Sequence, residues 1–321
     1  MLLALRDEQA EAPTVSVGMP VYNGERFIRE ALESALQQTF SDFELIIADN
    51  DSSDMTQDIC REYMERDSRI KYIRHEKNYG GYWNFCFVAR QATGQFFTWL
   101  SHDDVLEPQF LERTVQYMSE NPRTGIAAVD FAFIDENGIE LRCDKLEETR
   151  DSLAWEIRQI PFFEFAYPNV HLCFYGMMQT KLCKSIMARA KVPKMLTGCE
   201  YPILARFAAA GEITALPIVL RKYRSHSSGV FLTEVAEIKR KSKWRRIVFF
   251  YGNVFKLRMD LFKVLLDSPF TWKSKFRIIR RHMIMDLQWC RWKITGHWSD
   301  RKTITEEACG HGGTDARVFR R

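Results

Sequence analysis

Thr14-Val-Ser-Val-Gly-Met19, running straight into Pro20-Val-Tyr-Asn-Gly-Glu25, is the stretch on which the fold turns. A nearly unbroken apolar run of strand length that empties into a polar, glycine-bearing loop reads as a strand buried on both faces. Outward from it, two periods alternate. Glu25 to Gln38 predicts a helix, with Phe27, Ile28, Ala31, Leu32, Ala35 and Leu36 on its apolar side. Phe43-Glu-Leu-Ile-Ile-Ala48 is a second strand. Asp54 to Arg66 is a second helix with Asp54 as its N-cap. Ile70–Ile73 is a short strand, and Trp83 to Ala92 a helix stopped at Gly94. Gln95-Phe-Phe-Thr-Trp-Leu100 is a fourth strand, and Gln109 to Ser119 a helix ending before Asn121-Pro122.

Strand and helix in alternation with short links predict an α/β fold: a doubly wound, mostly parallel sheet with helices on both faces. Such sheets bind ligands outside the carboxyl ends of their strands, near a reversal in strand order. Three polar segments follow strands and are the candidate site: Pro20–Glu25, Asp49-Asn-Asp-Ser-Ser-Asp54 and Ser101-His-Asp-Asp104.

The second half reads less clearly. Residues 126–134 are apolar, and Asp135-Glu-Asn-Gly138 is a turn signal. The stretch 139–175 yields no element. Gly198 to Ala210 predicts a helix, and Gly211 to Leu216 a strand. Beyond Leu232, Ile247, Phe250, Val254, Leu257, Leu261 and Leu265 repeat at helical steps, which predicts a C-terminal basic amphipathic helical segment. Ser268-Pro269 breaks it, Trp272 to Trp292 suggests a second basic helix, and 303–321 reads as a loose tail.

The chain of 321 residues is 46% hydrophobic and carries a formal net charge of +4. That composition excludes disordered and collagen-like classes for most of the chain. The charge is uneven. Residues 1–238 sum to −10, residues 239–302 to +14 and residues 303–321 to zero. The basic segment suits an anionic membrane surface or, less specifically, nucleic acid, although no nucleic-acid module is legible. The alternative is that its apolar stripe packs on the body and its charges are solvated. No run of about 18 apolar residues suggests a spanning helix. Met1 to Glu11 lacks the basic and apolar regions of a secretory signal. The eight cysteines form no CxxC pair, so free thiols in a reducing cytosol are expected.

Clustered carboxylates carry the chemistry. Asp49, Asp51 and Asp54 lie close together with Asn50, and Asp103 and Asp104 are adjacent. Neighbouring carboxylates repel unless a cation or base lies between them. A hard divalent ion bridging phosphate oxygens suits such a pair at a strand tip. A carboxylate near the first strands can instead accept hydrogen bonds from a nucleobase or ribose. Glu200 can act as a general base toward a hydroxyl. Each feature also has a plainer reading: a turn with a helix cap at Asp49–Asp54, a solvated loop at Asp103-Asp104, a helix-start carboxylate at Glu200, and a structural histidine at His226.

Taken together, Val15–Glu25, Gln38–Asp54, Asn78-Tyr-Gly80, Ala92–Phe97 and His102–Pro108 resemble family 2 glycosyltransferases along roughly residues 13–120. A weaker match continues through Gly198-Cys-Glu200, Gly211 and Arg224-Ser-His-Ser-Ser228. The resemblance implies a GT-A fold, a nucleotide-diphosphate-sugar donor, a divalent metal (Mn or Mg) and inversion at the anomeric carbon. It implies that Pro20, Tyr22 and Glu25 line a nucleotide pocket, and that Asp49 and Asn50 contact base and ribose. Asp103 belongs to the nucleotide side, Asp104 and His226 to the metal, Arg224 to the diphosphate, and Glu200 is the catalytic base. Lys222 is a further cation for the leaving group or part of a solvated strand face. The implied organisation is an extension at 1–12, a nucleotide-sugar-binding half at 13–125, an acceptor-binding half at 126–231, the basic helical region at 232–302 and the tail at 303–321.

Two positions depart from the family pattern. Ser101 stands two places before the Asp pair where the family often has Asp, and Asn50 replaces the second Asp of the nucleotide pair. No Gln-x-x-Arg-Trp signature of processive synthases occurs, which implies addition of one sugar. The expected partners are the sugar nucleotide and a glycan or lipid-linked acceptor, in surface polysaccharide or glycolipid assembly. The expected location is cytoplasmic, at the inner face of the cell membrane. The competing readings are a non-catalytic sugar-nucleotide or carbohydrate-binding protein and a nucleotidyltransferase. The latter would show a Gly-rich basic loop after the first strand, and Pro20–Glu25 is not one.

Overall fold

The structure, a computed structural model, describes residues 12–146, 170–189, 200–226 and 259–280. Its contacts divide the chain into two compact units, Met1–Thr271 and Trp272–Arg321.

The first unit alternates as the hydrophobic periods dictate. It runs β1 (Val15–Val21), α1 (Ile28–Leu36), β2 (Phe43–Asp49), α2 (Thr56–Arg66), β3 (Ile70–Arg74), α3 (Gly81–Gln91), β4 (Phe96–Trp99), β5 (Val105–Leu106) and α4 (Phe110–Glu120). Then follow β6 (Thr124–Ile134), β7 (Glu140–Asp144), a 3-10 turn (Val170–Tyr175), β8 (Met177–Gln179), α5 (Thr180–Arg189), α6 (Glu200–Ala210) and β9 (Glu212–Arg224). Among the described residues nine strands form one sheet in the order β3-β2-β1-β4-β8-β6-β9-β5, with β7 on β6. The ladders β3-β2-β1-β4 and β6-β9 are parallel, and they supply most of the paired residues. Short antiparallel pairings of β8, β5 and β7 complete the sheet.

Every residue of β1 and β2 is buried, as expected for central strands covered by helices on both faces. The proline in β1 is tolerated for a positional reason. β4 pairs β1 only from Val15 to Gly18, so Pro20 lies past the end of that neighbour and its missing N–H breaks no ladder bond. Strand order reverses between β1 and β4, since β2 and β3 lie on one side of β1 and β4 on the other. The turns after β1 and β4 therefore flank the crevice where such sheets take ligands.

Two elements differ from the sequence expectation. The strand expected at Gly211–Leu216 runs on to Arg224. Strands β5 and β8, of two and three residues, are too short for any period to show. Among the described residues of the basic segment, 259–267 and 272–280 are helical, with a bend at Ser268-Pro269. The remainder of the expected C-terminal helices, the start of the Gly198 helix, the extension and the tail lie outside the described residues. No helix among the described residues is long and apolar enough to cross a membrane. The five described cysteines are free thiols.

Candidate active site

The turns after β1 and β2 are laced into one body. The Asn23 N–H donates to Ser52 Oγ at 2.9 Å, that of Gly24 to Thr56 Oγ1 at 2.8 Å and that of Glu25 to Asp54 Oδ2 at 3.0 Å. In return the Ser53 N–H donates to Asn23 Oδ1 at 2.9 Å and the Met55 N–H to Glu25 Oε2 at 3.0 Å. Asn23 and Asp51 hold left-handed backbone, with φ of 51° and 66°. Asn and Asp tolerate that region best among residues with side chains. Gly24 is required for a different reason: a Cβ there would stand 2.7 Å from the His102 ring, which brings the turn after β4 against the turn after β1.

Of the residues expected to line the nucleotide pocket, Tyr22 is exposed, Pro20 is buried within β1, and Glu25 caps the start of α2 through Met55. Asp49 and Asn50, expected at base and ribose, both make bonds within the fold. The Asp49 side chain is fully buried. Its Oδ2 accepts from the Tyr72 hydroxyl at 2.7 Å and from Arg74 Nη1 at 3.0 Å, and its Oδ1 from the Ser52 N–H at 2.9 Å. Asn50 donates from Nδ2 to Asn78 Oδ1 at 2.8 Å, and its Oδ1 accepts from the Tyr79 N–H at 2.9 Å. Both side chains are taken up within the fold, and neither reaches the surface. The groups at the accessible edge of this network are Arg74 and Asp51, joined at 2.8 Å. Sequence reading missed Arg74. The parallel register that sets Asp49 beside Arg74 is the signal that would have found it.

The turn after β4 builds the second half of the site. β5 pairs antiparallel with β9, Val105 opposite Lys222 and Leu106 opposite Arg221, which carries the end of β9 to Asp103 and Asp104. Asp104 is buried. Its Oδ1 accepts from the Arg224 N–H at 3.1 Å, while its Oδ2 has no partner. Burial pushes the Asp104 carboxyl up to about 8, and the charge of Asp103 adds to the rise. Burial also opposes charge on Asp103, yet His102 and His226 hold that carboxyl below the usual range. His226 Nε2 donates to Asp103 Oδ2 at 2.9 Å, and its ring packs on Phe27. The expected metal residue His226 thus takes Asp103 as a direct partner.

Arg224, expected at the diphosphate, serves the fold as a rivet. Its guanidinium is almost fully buried. It donates from Nε to Asp103 O at 2.9 Å, from Nη1 to Asp135 O at 3.1 Å, and from Nη2 to Glu30 Oε2. Lys222 is paired with Glu107 at 2.7 Å. Beneath lies Arg221, wholly buried, which donates to Tyr175 O and Trp99 O, each at 2.6 Å. Burial pulls the Arg221 guanidinium down, and the nearby charge of Asp104 opposes that pull.

Glu200 opens α6. Burial pushes the Tyr175 phenol well up, and the charges of Glu200 and Asp104 add to it, while the nearby Ser101 hydroxyl opposes the rise. Burial likewise raises Tyr223, with Asp104, Asp103 and Glu200 acting in the same sense. The carboxylates at the β4 turn and at the start of α6 thus act on one pair of tyrosines. Ser101, where the family often has Asp, acts on Tyr175.

The oxygen chemistry fits a hard divalent cation. Asp104 Oδ2 is a buried carboxyl oxygen left without a hydrogen-bond partner, and such groups ordinarily find one.

A curled, mostly parallel sheet with a reversal beside β1 and carboxylates at the carboxyl ends of its strands defines a GT-A-like architecture. Among solved structures it is similar to S. aureus TarS 1-349 in complex with UDP-GlcNAc, with a TM-score of 0.65, 16% identity, and coverage of 84% of this chain and 71% of that one. It is also similar to the Pyrobaculum calidifontis mannosyltransferase in complex with GDP-Man and Mn2+, at a TM-score of 0.52 and 13% identity, covering 93% of this chain and 85% of that one. At such identities the likeness shows the fold. Residues 16–178 match the family described as Glycosyl transferase family 2, and the chain belongs to that family. It is 28% identical over 268 residues to an uncharacterized glycosyltransferase of Methanocaldococcus jannaschii, covering 80% of this chain and 89% of the relative. It is 31% identical over 163 residues to one of Rickettsia prowazekii, spanning about half of each (50% and 49%). The chain is therefore a glycosyltransferase.

Proposed function

We propose that this transferase moves one sugar from a nucleotide-diphosphate sugar to an acceptor hydroxyl with inversion at the anomeric carbon. The observation that carries the reading is Asp104: a buried carboxylate with one oxygen oriented by the β9 backbone and the other left open, beside the Asp103–His226 pair. A bound divalent cation supplies charge neutralisation on the departing diphosphate. Asp104 is the protein oxygen that would hold it. Among the described residues no group of three or more His, Cys, Asp or Glu side chains converges on a metal position, so the remaining donors would be phosphate oxygens and water.

The chain's own residues divide the remaining work. Tyr22, exposed beside the laced turns, and Arg74, paired with Asp51, meet the nucleoside in this reading. Glu200 takes the proton of the acceptor hydroxyl as its oxygen bonds to the anomeric carbon and the bond from that carbon to the diphosphate oxygen breaks. Attack from the face opposite the leaving group inverts the centre in one displacement. The acceptor is a glycan or a lipid-linked sugar of surface polysaccharide or glycolipid assembly, reached by an enzyme attached peripherally to the inner face of the membrane.

A thermal-shift screen of nucleoside diphosphates and their sugars, with and without Mn2+, tests the donor site. A metal-dependent rise in melting temperature with one nucleotide is expected. Product anomeric configuration, read by NMR, tests inversion. A protein that no sugar nucleotide stabilises, with or without metal, would refute the reading.

A further inference from the structure

We propose that the helix at 272–280 docks on an anionic lipid bilayer, with Trp272 and Phe276 entering the headgroup layer and Lys273, Arg277 and Arg280 meeting lipid phosphates. The inference sharpens the peripheral-attachment reading by naming the surface, and it does not depend on sugar transfer.

The helix is divided around its circumference. Ile278 and Lys275 are buried and Ser274 is half-buried. At about 100° per residue, the other side chains fall on one arc. Trp272, Phe276 and the half-buried Ile279 form one border of that arc, Lys273 and Arg277 the other, and Arg280 lies between them. An aromatic edge thus runs beside a cationic edge. Trp272 is 67% exposed and Phe276 68%, more than any other large apolar side chain among the described residues. The Lys275 ammonium lies 5.1 Å from the centroid of the Trp272 ring, so the ring already carries a cation on its face.

Charge selects the partner. The helix holds four basic residues and no acidic one, inside a segment, 239–302, that sums to +14 against −10 for residues 1–238. An anionic bilayer satisfies both edges at once. Aromatic rings favour the headgroup depth, where the ring body is apolar and its polar edge is wet, while Lys and Arg reach the phosphates. A bilayer also asks for no matching shape, which suits a face of one short helix better than a folded partner does.

The test uses the full-length protein, with no sugar nucleotide present, sedimented with phosphatidylcholine vesicles that contain or lack phosphatidylglycerol. The wild type is expected to bind the anionic vesicles at low salt and not the neutral ones. The double variant Trp272→Ala, Phe276→Ala is expected to lose most of that binding. The triple variant Lys273→Ala, Arg277→Ala, Arg280→Ala is expected to lower partitioning about fivefold per residue, on the order of 100-fold together. Circular dichroism and melting temperature should hold in both variants, because every replaced side chain is exposed. Absence of wild-type binding to anionic vesicles, or binding that both variants retain, overturns the proposal. Tighter wild-type binding to a single-stranded RNA oligonucleotide than to vesicles, lost in the same variants, overturns it in favour of nucleic acid. A protein inactive in transfer that still binds vesicles leaves this proposal standing, and an active one that ignores them leaves the transfer reading standing.

Discussion

Arg224 donates its backbone N–H to Asp104 Oδ1 at 3.1 Å, while its own guanidinium is committed to Asp103 O, Asp135 O and Glu30. The side chain fastens the end of β9 to α1, to the β4 turn and to the β6–β7 turn, and the backbone so positioned aims the carboxylate. Arg224→Met should lose about 1–3 kcal/mol of stability, because the Asp103 and Asp135 carbonyls lose their donor. Its apparent metal affinity should fall while any nucleotide binding without metal persists. Urea unfolding and metal titration check this. A variant of wild-type stability would disprove the rivet.

Asp104 should make the metal-free protein less stable as pH rises toward 8. Its carboxyl is raised from 3.8 to about 8, so the folded state holds the proton more tightly than the unfolded state. The stability so contributed is complete below the ordinary carboxylate value and is lost as pH rises through about 8. Metal-free wild type should therefore lose melting temperature progressively from about pH 5 to about pH 8 and level off above that. Asp104→Asn, neutral throughout, should not show this loss. Added Mn2+ should restore the wild type and leave the variant unchanged.

Asn50→Asp restores the residue the family often carries, yet it should destabilise this chain. It replaces the Nδ2 donor by a second acceptor, 2.8 Å from Asn78 Oδ1, which already accepts the Gly80 N–H. A buried oxygen facing an oxygen costs about 1–3 kcal/mol. Faster amide exchange at Tyr79 and Gly80 is the expected signature. Unchanged protection there would show that the amide does not hold this loop.

Glu200→Gln should remove a proton acceptor without changing shape. A loss of about 10²–10⁴-fold in kcat is expected, with nucleotide-induced stabilisation intact. Steady-state kinetics beside thermal shift separate the two, and an unaltered kcat would remove Glu200 from the mechanism.

The first half of the fold was legible because its signals are local. Strands buried on both faces read as apolar runs, and helices with one buried face read at helical steps. Asp54 shows the limit even there. Expected as an N-cap, it lies just outside α2, where its Oδ1 accepts from the Thr56 N–H at 3.0 Å and its Oδ2 serves the turn after β1. The end of β9 was illegible because its polar residues are satisfied from afar: Arg221 by Trp99 and Tyr175, Lys222 by Glu107, and Arg224 by Glu30 and Asp135. No period of one segment reveals such partners. The same holds for the site. The positions of Asp49 and Asn50 stood out in the sequence, whereas their burial under Tyr72, Arg74, Asn78 and Tyr79 is a property of pairing between segments.

The reciprocal bonds between residues 23–25 and residues 52–56 have a practical consequence for redesign. Each turn supplies the donors or acceptors that the other lacks, so neither is a modular unit. A loop transplanted alone from a relative with another donor preference would arrive with its bonding half missing. Exchange of both turns in a single graft is the smallest change that keeps the floor of the crevice intact.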